Sequence, residues 1–244
     1  MATSNGNSST ASTYSSTSSG FGDALGTGIV EIYVRSSKKH YRVHKSIIST
    51  KFDGTKLNYF AKMFNNGSRE TAEQKAEFPE LELNTFDLFL EWIYRDSFHP
   101  RSYLSRQACV DSLTARTKLY GFADQLRLLD LMDYTLITIL STLKETNLGL
   151  GMKGTECIYE HTPPGSKFRD FAARNLHFRL AQGSVGEDYM TVKITASMMK
   201  YQDLTHDLLE LMGGSPKEAN NPLLLPICTF HVHAKDEECK HTMD

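Results

Sequence analysis

The nine residues FDLFLEWIY at positions 86–94 contain the only tryptophan of the chain and a strong apolar pattern. Five apolar residues recur there at intervals of three and four, namely Phe86, Phe89, Leu90, Ile93 and Tyr94. That spacing places them on one face of an amphipathic helix. Asn84 or Thr85, just before the run, can cap such a helix. The pattern therefore predicts a helix with one buried face.

Three short strands are predicted before this helix. Val30, Ile32 and Val34 alternate with polar positions, as in a strand with one buried face. The alternation resumes over residues 41–43 after a polar turn at residues 36–39, which indicates a hairpin. A third strand is predicted from the apolar residues of positions 78–83, at the edge of the sheet because Pro79 interrupts it.

Further helices are predicted on both sides of the third strand. Leu57, Phe60 and Phe64 fall at i, i+3 and i+7 on one helical face, and residues 65–74 are expected to be a polar loop. After Pro100, two more helices are expected, the second from the repeating leucines between residues 126 and 143. The order of elements predicts an α+β domain.

The ends of the chain differ from this central part. Residues 1–20 contain 12 Ser or Thr, a composition too polar to offset its ordering entropy. We therefore predict a disordered tail over residues 1–28, a domain over 29–143, a helical extension over 144–214 and a C-terminal tail over 215–244. Ser166 is expected to cap a helix in the extension.

Charge and composition exclude several function classes. The net charge is −2, with 27 basic and 29 acidic residues, so no positive excess exists to bind a nucleic-acid backbone. Apolar runs are far shorter than the roughly 20 residues that cross a bilayer. Four cysteines are too few for a disulfide framework. We expect a soluble protein with reduced thiols, in the cytoplasm or nucleus, with Cys109 and Cys157 acting as small apolar residues.

Several ordered motifs resemble one known family. They are Tyr41-Arg42-Val43-His44-Lys45, Tyr59-Phe60 followed by Met63-Phe64, the run at 86–94, Lys118-Leu119-Tyr120-Gly121-Phe122-Ala123-Asp124, and Ile158-Tyr159-Glu160-His161-Thr162 with Gly165-Ser166 and Arg169. In this order they are similar to a BTB/POZ domain, in the style of the BTB proteins of filamentous fungi. The resemblance implies a BTB/POZ-like α+β fold, with three short strands capped by a helical cluster and followed by a helical C-terminal extension.

The resemblance also implies a function. Members of the family are non-catalytic interaction modules, often homodimers, and many are adaptors that recruit a cullin scaffold for ubiquitination. The alternative is a transcriptional or chromatin-associated assembly factor. Cullin adaptors tend to carry a hydrophobic residue two positions before an acid ahead of the third strand. Here Ser68-Arg69-Glu70 keeps the acid and lacks the hydrophobe, so Arg69 and Glu70 are the implied partner-binding residues. Gly28-Ile29 stands where an acidic residue usually opens the first strand.

A glycine motif raises the question of nucleotide binding. Residues 149–154 spell G-x-G-x-x-G, which binds a dinucleotide only between a preceding strand and a following helix. The upstream segment has a helical period, and the downstream stretch contains Pro163-Pro164. We therefore predict the end of a helix followed by a loop, and an enzyme that uses this motif is the less favoured hypothesis.

A second enzymatic reading concerns His44 beside Lys45. No serine or cysteine nucleophile with an orienting acid is identifiable near them in the sequence. We expect the His44 ring to bond to backbone at the end of a strand, and we assign no catalytic residue.

The C-terminal tail carries the sharpest chemical signal, because five Cys or His residues lie between positions 228 and 241. Thiolate and imidazole are the ligands that zinc prefers in a tetrahedral site. If residues 227–233 form a strand, a turn brings Cys239 and His241 to His231 and His233. A bulge would instead give Cys228, His231, His233 and Cys239. A structural zinc ion that attaches the terminus to the body is the one cofactor that the sequence suggests.

Overall fold

The computed structural model describes residues 20–35, 37–50, 59–65, 67, 69–99, 105–183, 191–213, 219–234 and 237–241. Its first elements are α1 (Phe21–Leu25), β1 (Ile29–Val34), β2 (Lys39–His44), α2 (Lys45–Thr50), α3 (Tyr59–Asn65), α4 (Arg69–Glu73) and β3 (Lys75–Phe78). Longer helices follow: α5 (Leu83–Arg95), α6 (Arg106–Gln125), α7 (Leu129–Glu145), α8 (Met152–His161), α9 (Lys167–Ala181), α10 (Thr191–Lys200) and α11 (Gln202–Gly213). Two short 3₁₀ helices, Pro222–Leu224 and Ile227–Thr229, precede the C-terminus.

The three strands form one small sheet with β1 in the centre. The strand order is β2-β1-β3, with β2 antiparallel and β3 parallel to β1. Val30, Ile32 and Val34 are completely buried, which confirms the predicted alternation of β1. In the register, Ile32 lies opposite Tyr41 on one side and Ala76 on the other. The α+β fold with a helical extension is thus confirmed.

The third strand lies earlier than predicted. It spans Lys75–Phe78, at the edge of the sheet as expected, whereas we placed it from Phe78 to Leu83. The sequence signal is weak because the buried position of this strand is Ala76, whose side chain is small. Leu83 instead begins α5, with Glu82 at the N-cap. The expected cap at Asn84 or Thr85 is therefore wrong.

Short helices occupy two segments that we expected to be irregular. Helix α1 lies within the predicted tail at 1–28, of which residues 1–19 are outside the described residues. Helix α4 lies within the predicted polar loop at 65–74. Leu57, predicted on the inner face of α3, is also outside the described residues, while Phe60 and Phe64 are fully buried.

One continuous core joins the domain to the extension. Its buried members run from Val30 in β1 to Phe230 near the C-terminus. The ring of Tyr120 in α6 packs on that of Phe168 in α9, with centroids 5.0 Å apart. Ser166 caps α9 as predicted, since its hydroxyl oxygen accepts a hydrogen bond from the Phe168 N–H. The helical extension therefore packs against the domain.

Among the residues that the structure describes, no helix combines the length and apolarity needed to cross a membrane.

Candidate functional site

The C-terminal cluster, defined here as Cys228, His231, His233 and Cys239, is the densest group of metal-binding side chains in the described residues. One ligand atom from each side chain lies within 4.8 Å of every other. The predicted strand at 227–233 is wrong, because Ile227–Thr229 forms a 3₁₀ helix after Pro226. This turn brings Cys228 to the histidines, as the second predicted arrangement requires.

The ring nitrogens of the cluster have a distinctive pattern of partners. His231 Nδ1 lies 3.3 Å from Cys239 Sγ. His233 Nδ1 lies 2.8 Å from the carbonyl oxygen of Ala234. The Nε2 atoms of both histidines are buried without a hydrogen-bond partner in the structure. Buried polar atoms of this kind are rare in proteins and call for an explanation.

His241, the alternative ligand, lies outside the cluster. Its Nε2 is 3.0 Å from Asp130 Oδ1 at the start of α7, and its ring packs near Tyr134. The Cys239 thiol donates to the carbonyl oxygen of His241 at 2.9 Å. Of the two arrangements that the sequence left open, the structure brings together the one with Cys228.

Burial changes the acid–base behaviour of the cluster. The pKa of His231 falls to about 4, first because of burial and then because of the nearby His233 and His241. Its imidazole is therefore neutral at neutral pH. Partial burial, and then the neighbouring Cys239 thiol, raise the pKa of the Cys228 thiol above its ordinary value.

Asp133 of α7 holds the cluster against the body of the protein. Its carboxylate accepts hydrogen bonds from the backbone N–H groups of Val232, at 2.7 Å, and His233, at 3.3 Å. Burial raises the pKa of Asp133, and these two N–H groups oppose that shift. Beside them, the buried ring of Phe230 packs edge-on to Phe171 at 5.3 Å. Sequence reasoning missed Asp133, although an acid inside the leucine-rich run of α7 was a visible signal.

The implied partner-binding residues lie on α4. Arg69 is its first residue, and its side chain is outside what the structure describes, as is Ser68. Glu70 is partly buried and lies near the phenol of Tyr59, whose pKa is raised by burial and then by the Glu70 carboxylate. Tyr59 is 40% exposed at the start of α3. We call Tyr59 and Glu70 the α3–α4 surface.

The glycine motif has a packing explanation. It follows helix α7, as predicted, but helix α8 begins inside it at Met152, so the predicted loop is wrong. A Cβ atom on Gly149 would lie 3.0 Å from Arg179 Nη2, and one on Gly154 would lie 2.5 Å from Leu150 Cδ1. Gly151 is the N-cap of α8. A helix stands where a dinucleotide site needs a strand.

His44 contacts a tyrosine instead of the backbone that we expected. Its Nδ1 lies 2.9 Å from the Tyr94 hydroxyl oxygen, which also accepts a hydrogen bond from the His44 N–H. This contact joins the end of β2 to α5 and gives the ring a structural role.

An open cleft of about 440 Å³ lies between the β3–α5 turn, α6 and the end of α8. Glutamates dominate its charged lining, namely Glu77, Glu80, Glu82 and Glu160, with Lys118 and His161 beside them. Lys118 forms an ion pair with Glu82. The sequence did not indicate this cleft, because its lining comes from four separate segments.

Comparison with known proteins identifies the first domain. Residues 28–129 match the family model of the BTB/POZ domain. No curated protein and no solved structure matches the chain, so the likeness to BTB proteins of filamentous fungi stays a prediction. The match agrees with the three-stranded sheet and its helices. The chain therefore contains a BTB/POZ domain, a protein-interaction domain, at residues 28–129.

Proposed function

We propose that the protein is a non-enzymatic adaptor of the cytoplasm or nucleus that binds a cullin scaffold through the α3–α4 surface. The observation that carries the proposal is the exposed aromatic ring of Tyr59 beside the carboxylate of Glu70 within a BTB/POZ domain. Aromatic side chains that can be desolvated by a partner supply much of the energy of protein interfaces.

The α3 helix gives Tyr59 a firm base. Its next residue, Phe60, is fully buried and stacks on Phe89 of α5 with centroids 5.7 Å apart. The Tyr59 and Phe60 rings meet edge to face at 5.4 Å. A partner would therefore meet an aromatic ring whose orientation is already constrained, which reduces the entropy lost on binding.

Tyr59 also compensates for the departure at Ser68. In the cullin-adaptor pattern a hydrophobic residue precedes the acid by two positions, and this chain has serine there. The ring of Tyr59 supplies apolar contact area next to the same acid. The adaptor role then requires Tyr59 and Glu70 together.

A binding titration with the purified N-terminal domain of a cullin tests the proposal. We expect Tyr59→Ala and Glu70→Lys each to weaken binding by at least about tenfold, as for residues central to an interface. Glu210→Lys makes the same charge change at an exposed position of α11 and should bind like the wild type. No binding by the wild type, or equal binding by all variants, would refute the cullin role.

The adaptor is further proposed to be a homodimer, as the BTB/POZ match suggests. Light scattering on the full chain should give twice the 27.5 kDa of one protomer. A monomer at all concentrations tested would refute self-association.

A further inference from the structure

The C-terminal cluster has the composition and spacing of a closed zinc site. A tetrahedral Zn²⁺ bound at about 2.3 Å by sulfur and about 2.0–2.1 Å by nitrogen has its ligand atoms about 3.3–3.8 Å apart. In the structure, the four ligand atoms all lie within 4.8 Å of one another, and Cys239 Sγ is 3.3 Å from His231 Nδ1. Only small side-chain movements would bring all four onto one ion.

The hydrogen bonds of His233 prepare one nitrogen for a metal. Its Nδ1 donates to the carbonyl oxygen of Ala234 at 2.8 Å, so the proton lies on Nδ1 and the lone pair on Nε2. That Nε2 is buried and without a hydrogen-bond partner. Histidine ligands in metal sites typically donate their other ring N–H to a carbonyl or carboxylate in this way. The Ala234 carbonyl therefore orients His233 as a ligand.

His231 gives a second, independent indication. The residue is 3% exposed and its Nε2 has no hydrogen-bond partner. A buried imidazole with an unsatisfied nitrogen destabilises the fold by about 1–3 kcal/mol. Coordination by the cluster would satisfy one ring nitrogen of each histidine and explain why two of them lie together in an otherwise apolar region.

The body of the protein positions the segment that carries the ligands. The buried ring of Phe230 and the Asp133 carboxylate hold the backbone between Cys228 and His233. All four ligands come from residues 228–239, so the ion would close this segment on itself. This differs from the sequence-based expectation that zinc attaches the terminus to the body directly, since Phe230 and Asp133 make that attachment.

We propose that Cys228, His231, His233 and Cys239 bind one Zn²⁺ in a tetrahedral structural site. Two thiolates and two imidazoles favour zinc among the common metals. Four protein ligands leave no open position for substrate, so the site stabilises the C-terminal segment and catalyses nothing. Binding displaces the thiol protons of Cys228 and Cys239 to solvent.

Metal analysis of the purified full-length protein tests the site. We expect about one zinc per chain in the wild type, and less than about a tenth of that in Cys228→Ser/Cys239→Ser, because both thiolates are lost. His241→Gln is the matched control, since His241 bonds to Asp130 outside the cluster, and it should keep its zinc. Zinc retained by the double cysteine variant, or absent from the wild type after incubation with zinc, would overturn the proposal.

A second readout uses the wild type alone and so does not depend on a variant that folds. With zinc present, alkylation followed by mass spectrometry should leave Cys228 and Cys239 unmodified, and a zinc chelator should expose both. Cys109 is buried and serves as the internal reference that the chelator leaves unchanged. Cys228 and Cys239 joined in a disulfide, read as a mass loss of two hydrogens, would overturn the proposal.

Discussion

Gly121 of α6 lies directly against the backbone carbonyl of His161, the last residue of α8. A Cβ atom at position 121 would overlap the carbonyl oxygen of His161. The obstructing atom belongs to the backbone, so it cannot rotate away as a side chain could. This contact joins the BTB/POZ domain to the helical extension at its closest approach between α6 and α8.

Gly121→Ala should therefore destabilise the protein. Forcing an extra methyl group into a packed interface costs about 1–3 kcal/mol, because the helices must separate. Thermal or urea unfolding of the full chain measures the loss. Gly213→Ala is the matched control, since a Cβ there meets nothing within 4 Å. Equal stability of the two variants would show that α6 and α8 do not pack as closely as described.

Arg169 should be the most sensitive arginine of α9. Its buried guanidinium donates to the carbonyl oxygens of Tyr159 and Thr162, and to Asp203 Oδ2 at 2.7 Å. Arg169→Met removes these donors, and each buried carbonyl left without one costs about 1–3 kcal/mol. Urea unfolding should reveal a clear loss of stability.

Arg174→Met provides the control on the same helix. Arg174 pairs with Asp170 at i,i+4, and both side chains are about one-third exposed or more. Such a pair contributes about 0.3–0.5 kcal/mol. An Arg169 variant no less stable than the Arg174 variant would contradict the role of Arg169 in joining α8, α9 and α11.

Phe230 should anchor the C-terminal segment. Its ring is fully buried, and Phe230→Ala should lower the free energy of unfolding by about 3–5 kcal/mol through loss of contacts and an unfilled cavity. Leu224, 77% exposed on the same segment, should tolerate alanine to within about 0.5 kcal/mol. Unfolding of the full chain should remain one transition in both variants. An unchanged stability for Phe230→Ala would mean that the segment does not pack in the core.

Cys157 should react slowly with alkylating agents. Burial raises the pKa of its thiol to about 11, so only about 0.1% is thiolate at pH 8, and the thiolate is the reactive form. Alkylation of the folded chain should accelerate as the pH rises from 8 towards 10. Mass spectrometry of the same cysteine in urea gives the reference rate. Comparable rates in the folded and unfolded chains at pH 8 would contradict this prediction.

The elements that the sequence predicts well are those whose burial pattern is carried by large side chains. The buried valines and isoleucine of β1 and the aromatic residues of α5 left a clear period. The third strand was misplaced because Ala76 is its buried residue and leaves little signal. Helix α8 was missed because the glycines of residues 149–154 indicated a break, whereas Gly151 caps the helix and Gly154 packs against Leu150.

The candidate sites show the same contrast between local and distant information. The residues of the C-terminal cluster are close in sequence, so their chemistry could be read directly from the chain. The choice between Cys228 and His241 could not, because it depends on contacts of the tail with Asp130 and Asp133 roughly a hundred residues earlier. The pairing of Tyr59 with Glu70 likewise requires the packing of two separate helices.

Hydrogen–deuterium exchange of the full-length protein, with and without the purified N-terminal domain of a cullin, tests the adaptor role most directly. Amides that a partner covers exchange more slowly, so the region of contact can be read along the chain. The account predicts slower exchange at residues 59–65 and 69–73 when the cullin is added. Exchange unchanged in both segments, or slowed only in α10 and α11, would contradict it.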